Sequence, residues 1–214
     1  MSIGIIGAGE LGSTLARAFA KAGVSAVISN SRGPGSLADL VKELGPTIKA
    51  GTTAEAAQAD IVFVSVRWVD VKKVLGGLPA WNGRIVVDST NAVEWIDPNS
   101  PDATDPSNPL AAYGIKAADL GDRYSSGIVR DFVPGARLVK AFNHLPAQAL
   151  AEPALSGGQR ALFYSGDDAD AKAKVRELLE KTGFFPVDLG TLDVGGRLAA
   201  LPFGPLGVVN FVKV

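Results

Sequence analysis

The 214-residue chain predicts an α/β fold of the Rossmann type, a doubly wound and mostly parallel sheet with a small C-terminal α/β extension. Three observations predict it. A glycine triad, Gly7-Ala8-Gly9-Glu10-Leu11-Gly12, joins an apolar strand to an amphipathic helix. Strand and helix signals then alternate along the chain, and the strands read as continuous apolar runs, as parallel strands covered on both faces do. Within the triad, Gly7 permits the tight turn, Gly9 lets backbone approach a pyrophosphate without a Cβ in the way, and Gly12 allows close packing of helix on strand. An anion there faces free amide donors at the positive end of the helix dipole. A tight turn with no ligand is the competing reading, and the strand before the triad and helix after it weigh against that.

The first strand is Ser2 to Ile6; Leu11, Leu15, Ala18, Phe19 and Ala22 mark one face of the helix that Gly23 stops. A second strand, Ser25 to Ser29, ends where Rossmann units place the residue that reads the adenosine ribose. A carboxylate there would accept from both ribose hydroxyls and repel a 2′-phosphate. The chain instead reads Asn30-Ser31-Arg32-Gly33-Pro34, offering a hydroxyl and a planar guanidinium suited to phosphate oxygens. NADP(H) is therefore the predicted cofactor, bound in part by Asn30, Ser31 and Arg32.

A helix over Ser36 to Leu44 ends at Gly45-Pro46, and Thr47 to Ala50 forms a third strand. Thr53 to Gln58 is a short helix with Thr53 as its cap, and Ile61 to Val66 a buried parallel strand. Ligands of such sheets lie beyond the carboxyl ends of strands, so Ser65, Val66, Arg67 and Trp68 should border the cofactor. A helix over Val71 to Leu75 leads to Gly76-Gly77, then Ile85 to Asp88 forms a fifth strand whose end makes Asn91 a further candidate. From Glu94 to Pro109, four prolines among Asp, Asn and Ser predict an irregular, mobile loop.

Ser125 to Phe132 is a helix stopped by Pro134-Gly135; Arg137 to Phe142 is a sixth strand that runs into Asn143 and the single histidine, His144. Lys140, opposite in alternation to Val139 and Ala141, reads as a solvated lysine. A strand over Ala161 to Ser165, a helix over Ala169 to Thr182 capped by Asp168 and stopped by Gly183, and a strand over Pro186 to Leu189 follow. The tail from Gly190 is too broken for one long helix and is expected to fold back over the sheet edge. The organisation predicted is one domain over 1–214: a dinucleotide-binding core over 1–145 and an extension over 146–214 that completes an acceptor pocket.

A net charge of −1 gives no general attraction to nucleic acid or anionic membrane, and the absence of cysteine excludes thiolate catalysis and cysteine-based metal sites. No metal is expected. The apolar N-terminus lacks a basic leader and is consumed by the first strand, which predicts a cytoplasmic protein without a membrane span. No Ser/His/Asp set or carboxylate pair stands out. Hydride transfer needs little beyond alignment and exclusion of water, because the cofactor carries the reactive bond. A carbonyl acceptor would add the need for a proton donor, for which His144, Lys140 and Tyr113 are the available groups.

Five segments carry a family resemblance: Gly7 to Gly12, Asn30 to Pro34, Asp88-Ser89-Thr90-Asn91, Val139-Lys140-Ala141-Phe142-Asn143 and Gly195-Gly196-Arg197-Leu198. They resemble the coenzyme F-420-dependent NADP oxidoreductases, reductases of a deazaflavin. The resemblance implies a Rossmann domain with a small C-terminal addition, hydride exchange between NADPH and the deazaflavin, and often a homodimer. It implies an NADP pocket of Gly7, Gly9, Glu10, Leu11, Gly12, Ser31, Arg32, Val66, Arg67 and Ala141. The acceptor is implied near Asn143, His144, Leu206 and Gly207. The 94–109 loop and the Arg67-Trp68 pair depart from better-known members, and related domains reduce flavins or other small substrates. A reductase of small imines or carbonyls and a non-catalytic NADPH sensor are the alternatives.

Overall fold

The computed structural model describes residues 1–155 and 157–214. Six strands form the parallel part of the central sheet: β1 (Ile3–Ile6), β2 (Ala26–Ser29), β3 (Ile48–Ala50), β4 (Ile61–Val64), β5 (Ile85–Asp88) and β8 (Arg137–Ala141). Their order from one edge is β3-β2-β1-β4-β5-β8. The chain moves outward from β1 in one direction and then in the other, so the crevice where the order reverses lies at the carboxyl ends of β1 and β4. β10 (Gly158–Gly166) joins β8 antiparallel, and β11 (Phe185–Asp188) extends the sheet alongside β10. Residues 146–214 thus contribute strands to the same sheet as the nucleotide core.

Helices cover both faces. On one, α1 (Glu10–Lys21), α2 (Ala38–Leu44) and α7 (Ala169–Lys181) bury Leu15, Phe19, Val175 and Leu178 over Ile5, Phe63, Val87 and Val139. On the other, α3 (Thr53–Ala56), α4 (Trp68–Leu75) and α5 (Ser125–Phe132) pack Ala56, Val71, Leu75 and Val129 over Ile6, Val62, Val64, Val86 and Leu138. The apolar runs that predicted two-sided burial divide between these two cores by strict alternation.

Local chemistry differs from expectation at two places. The cap of α3 is Thr52 rather than Thr53: its side chain accepts from the Glu55 amide while Glu55 accepts from the Thr52 amide at 2.7 Å, a reciprocal capping box. Four residues of helix precede an early end at Ala57, so that helix is also shorter than the reading to Gln58. The 94–109 segment is not an unstructured loop. It is flanked by β6 (Val93–Trp95), which pairs antiparallel with β7 (Ile115–Ala117), and the intervening chain is tied by Asx turns at Asp97, Asp105 and Asn108.

The remaining elements are short: α6 (Ala147–Ala151), β9 (Ala154–Leu155), α8 (Gly195–Leu198) and β12 (Val212–Lys213), with β9 and β12 both pairing with β10. The tail therefore folds back onto the β10 edge. Among the described residues no helix is long and apolar enough to cross a membrane.

Candidate nucleotide-binding site

The glycine turn has no room for side chains where the fingerprint needs none. Gly7 has φ +103°, and a Cβ there would lie 2.2 Å from the Ser65 carbonyl oxygen. A Cβ on buried Gly12 would lie 1.9 Å from the Gly7 carbonyl oxygen, so helix and turn are in backbone contact. Gly9 is different: nothing approaches its Cβ position within 4 Å, leaving open space above the turn. Gly9 caps α1 without a side-chain hydrogen bond, so the first helical amides have no intrahelical or capping partner. They point to where an anion is favoured.

Two lobes open from this turn. The first, of about 580 Å³, is lined by Gly7, Gly9, Asn30, Ser31, Arg32, Thr53, Arg67, Asp70 and Lys73 among others. Asn30 shapes its rim: its Oδ1 accepts from the Arg32 amide at 3.0 Å and its Nδ2 donates to Ser36 Oγ at 2.8 Å. The Arg32 guanidinium has no ion pair among the described residues, whereas Arg67 is held by Asp70 at 2.9 Å. Lys73, which sequence reasoning missed, adds a second cation without an ion pair among the described residues. The signal was there in the i, i+3 relation of Asp70 and Lys73, which puts both on the face of α4 turned to the cleft.

The second lobe, of about 440 Å³, shares Gly9, Ser65, Val66 and Arg67 with the first and so continues it along the sheet edge. Glu10 and Leu11 border it, with Glu10 accepting from Gln148 Nε2 at 2.6 Å. Ser89, Thr90, Asn91, Phe142 and Asn143 line it from the ends of β5 and β8. Asn91 Nδ2 donates to the Asn143 carbonyl at 2.8 Å, and Asn143 Nδ2 donates to Asn91 Oδ1 at 3.1 Å and to the Ala199 carbonyl at 2.8 Å. Three buried polar atoms lining this lobe have no hydrogen-bond partner among the described residues: Ser65 Oγ, Ser89 Oγ and Asn143 Oδ1. Such groups are costly to leave unpaired. Their presence along one continuous cleft, beside an open glycine turn, fits a dinucleotide whose polar groups complete them.

Several predicted residues sit elsewhere. Ala141 is fully buried in the sheet and borders neither lobe. Lys140 is not solvated: it is 1% exposed, with Nζ 3.0 Å from Asp88 Oδ2 and also donating to the Thr90 carbonyl. Asp88 in turn accepts from Ser126 Oγ at 2.9 Å and from the Thr90 amide and hydroxyl. Both faces of the sheet are covered, so alternation carried Lys140 into the second core rather than into water.

His144 does not line the cleft. Phe142, the last residue before Asn143, has φ +63°, a left-handed conformation rare for a bulky residue. Its ring is fixed in the core between Phe63 and Phe184, at centroid distances of 5.7 and 6.0 Å. The turn exposes Asn143 to the lobe and buries His144, whose ring stacks on Phe163 at 4.6 Å and whose nitrogens both lack partners among the described residues. Burial pushes its pKa down to about 4, so the imidazole is neutral at physiological pH. The tail does reach the lobe, but through Leu201 and Val208; Leu206 and Gly207 do not line it, and Gly207 lies against Leu201.

Residues 2–92 match the family described as NADP oxidoreductase, coenzyme F420-dependent. Those residues run from β1 through β5, so the glycine turn, Arg32 and Lys73 all lie in the part of the chain that is similar to this family. The chain is also similar, at 41% identity and a TM-score of 0.86, to the crystal structure of a hypothetical protein, SMa0349, from Sinorhizobium meliloti; the match covers 100% of this chain and 97% of that one. A protein of Arthrobacter sp. FB24, provisionally named an F420-dependent NADP reductase, shares the fold at 24% identity and a TM-score of 0.66, over 89% of this chain and 85% of that one. Among curated proteins, Metalloreductase STEAP3 of Rattus norvegicus is 27% identical over 202 residues, 94% of this chain. The chain spans only about a third, 36%, of the length of that relative. The family is one of NADP-dependent oxidoreductases, and the cleft offers the open glycine turn and the cations Arg32 and Lys73 that suit NADP(H).

Proposed function

We propose that the protein transfers a hydride between NADPH and a planar ring acceptor, a flavin or the deazaflavin coenzyme F-420. The observation that carries this reading is the composition of the second lobe. Its titratable side chains are Glu10, hydrogen-bonded to Gln148 near the glycine turn, and Arg67, paired with Asp70. An arginine does not give up its proton, and the other candidates for acid catalysis are elsewhere. His144 and Lys140 are buried, and Tyr113 lies exposed at the far end of the hairpin. Reduction of a carbonyl calls for a proton donor at the developing alkoxide. A conjugated ring delocalises the transferred electron pair and relaxes that need.

In this reading the first lobe holds the adenosine end. Ser31, Arg32 and Lys73 face the 2′-phosphate, and the free amides at Glu10 to Gly12 face the pyrophosphate. NADPH supplies the hydride when bound. Ser65, Ser89 and Asn143 supply the hydrogen bonds that orient its nicotinamide end, and Val66, Leu145, Leu201 and Val208 exclude water around it. The extension over 146–214 completes this side through Pro146, Ala147, Leu201 and Val208.

The test follows NADPH absorbance while coenzyme F-420, FMN, FAD and a panel of carbonyls and imines are offered in turn. Oxidation with one or more ring acceptors and none with the panel is the expected result. Turnover confined to carbonyls or imines, or none with any compound, overturns the reading.

A further inference from the structure

We propose that Trp95, carried on the β6–β7 hairpin, is a stacking surface for the acceptor ring. The inference rests on the ring-acceptor reading above and adds a residue and an element to it.

Trp95 is 69% exposed and lines the second lobe, where half-buried Trp68, at the start of α4, lines it as well. A large indole left in water at the mouth of a cleft forgoes burial that folding would otherwise collect. Hairpin pairing does not account for it. Trp95 lies directly opposite Ile115 in the antiparallel register, a pairing that would normally cover both side chains, yet the indole stays largely in water.

The hairpin is built to hold that ring in place. Ile96, the next residue, is 8% exposed, and its amide donates to the Gly114 carbonyl at 2.9 Å. Lys116 pairs with Asp102 at 2.8 Å, and Asn108 Nδ2 donates to the Ile115 carbonyl at 2.9 Å. At its root the Ala118 amide donates to the Ala92 carbonyl at 2.9 Å, next to Asn91, whose side chain is locked to Asn143. The support for Trp95 therefore continues into the cleft lining where Asn143 has an unsatisfied acceptor. A rigid aromatic face beside a water-excluding apolar lobe recognises a flat, conjugated, electron-poor ring, since stacking is indifferent to ring substituents but needs a planar partner.

The experiment compares wild type with Trp95→Ala, Trp95→Phe and Trp95→Thr. Two quantities are read: the acceptor KM in NADPH oxidation, and FMN or coenzyme F-420 affinity from tryptophan and flavin fluorescence on protein saturated with non-reducing NADP+. Trp95→Ala and Trp95→Thr are expected to raise both the KM and the acceptor Kd about tenfold. Trp95→Phe should restore most of the affinity, and NADP+ affinity should be unchanged throughout. Unchanged acceptor KM and Kd in both the Ala and Thr variants overturn the proposal while leaving the ring-acceptor reading intact. A parallel loss of NADP+ affinity also overturns it, because Trp95 would then shape the cleft rather than touch the acceptor. Wild-type protein that neither binds nor reduces any ring compound removes the ring-acceptor reading itself, and this inference with it.

Discussion

The two lobes of the cleft meet at Gly9, Ser65, Val66 and Arg67 but solve opposite problems. The first collects cations, with Arg32 and Lys73 unpaired and only Asp70 opposing them among the described residues, at a surface open to water. The second has aromatic and aliphatic walls, and among its polar groups are three buried amide and hydroxyl oxygens without partners among the described residues. The difference separates recognition from chemistry. In the proposed reading charge identifies the coenzyme where water screens each contact to a modest value. In the proposed reading the second lobe holds the reactive end, where its apolar walls limit the water that would compete.

The strongest way to break this comparison is to remove the turn that both lobes share. Gly12→Val puts side-chain atoms where even a Cβ would be 1.9 Å from a backbone oxygen, so helix and turn must separate. Binding of NADPH and NADH should both be abolished in calorimetric titration, and retained affinity for either would count against the fold assignment. A second break acts on the apolar lobe alone, from beneath. Lys140→Met leaves the Asp88 charge buried without its cation, and such one-sided removals cost about 3–5 kcal/mol. Denaturant unfolding should register that loss, while the first lobe, on the other side of β1 and β4, keeps its geometry in whatever fraction remains folded.

His144 sharpens the same contrast through pH. Its folded pKa of about 4 lies below the ordinary 6.5, so the unfolded chain binds a proton that the folded chain refuses. Its contribution is fully present above pH 6.5 and is lost progressively as pH falls toward 4, by about 3 kcal/mol in all. His144→Phe, which keeps the stack on Phe163, should flatten this acid limb in pH-resolved unfolding curves. It should leave coenzyme affinity unchanged, since the ring touches neither lobe; an unaltered acid limb would show the titration lies elsewhere.

Much of the fold was legible because its signals are local: a glycine triad between strand and helix, apolar runs of strand length, and glycines at helix ends. The first lobe was legible too, since Asn30, Ser31 and Arg32 are adjacent in sequence and follow directly on β2. The second lobe was not, because it is assembled by topology. Lys140 and Asp88 are cross-strand neighbours only once β5 and β8 are known to be adjacent, and alternation says nothing about exposure in a sheet covered on both faces. The burial of His144 depends on one left-handed residue, Phe142, that no glycine announces. Trp95 was hidden by distance, its strand partner Ile115 lying beyond a polar, proline-rich excursion that reads as coil.

The smallest effects lie within the first lobe, where two cations face the same space from different elements. Arg32→Ala removes a planar, charged donor next to Ser31 and should weaken NADPH by about 1.5–3 kcal/mol while barely altering NADH. Equal losses for both coenzymes would withdraw the phosphate assignment. Lys73→Ala removes an ammonium on a flexible stem from the exposed face of α4, which is worth below about 1 kcal/mol. Its loss should fade as salt is raised, because at 0.15 M the screening length is only about 8 Å. If Lys73→Ala instead costs as much as Arg32→Ala and resists salt, the phosphate is gripped from α4 as well as from the end of β2. The first lobe would then enclose the phosphate between two elements rather than meet it at the surface.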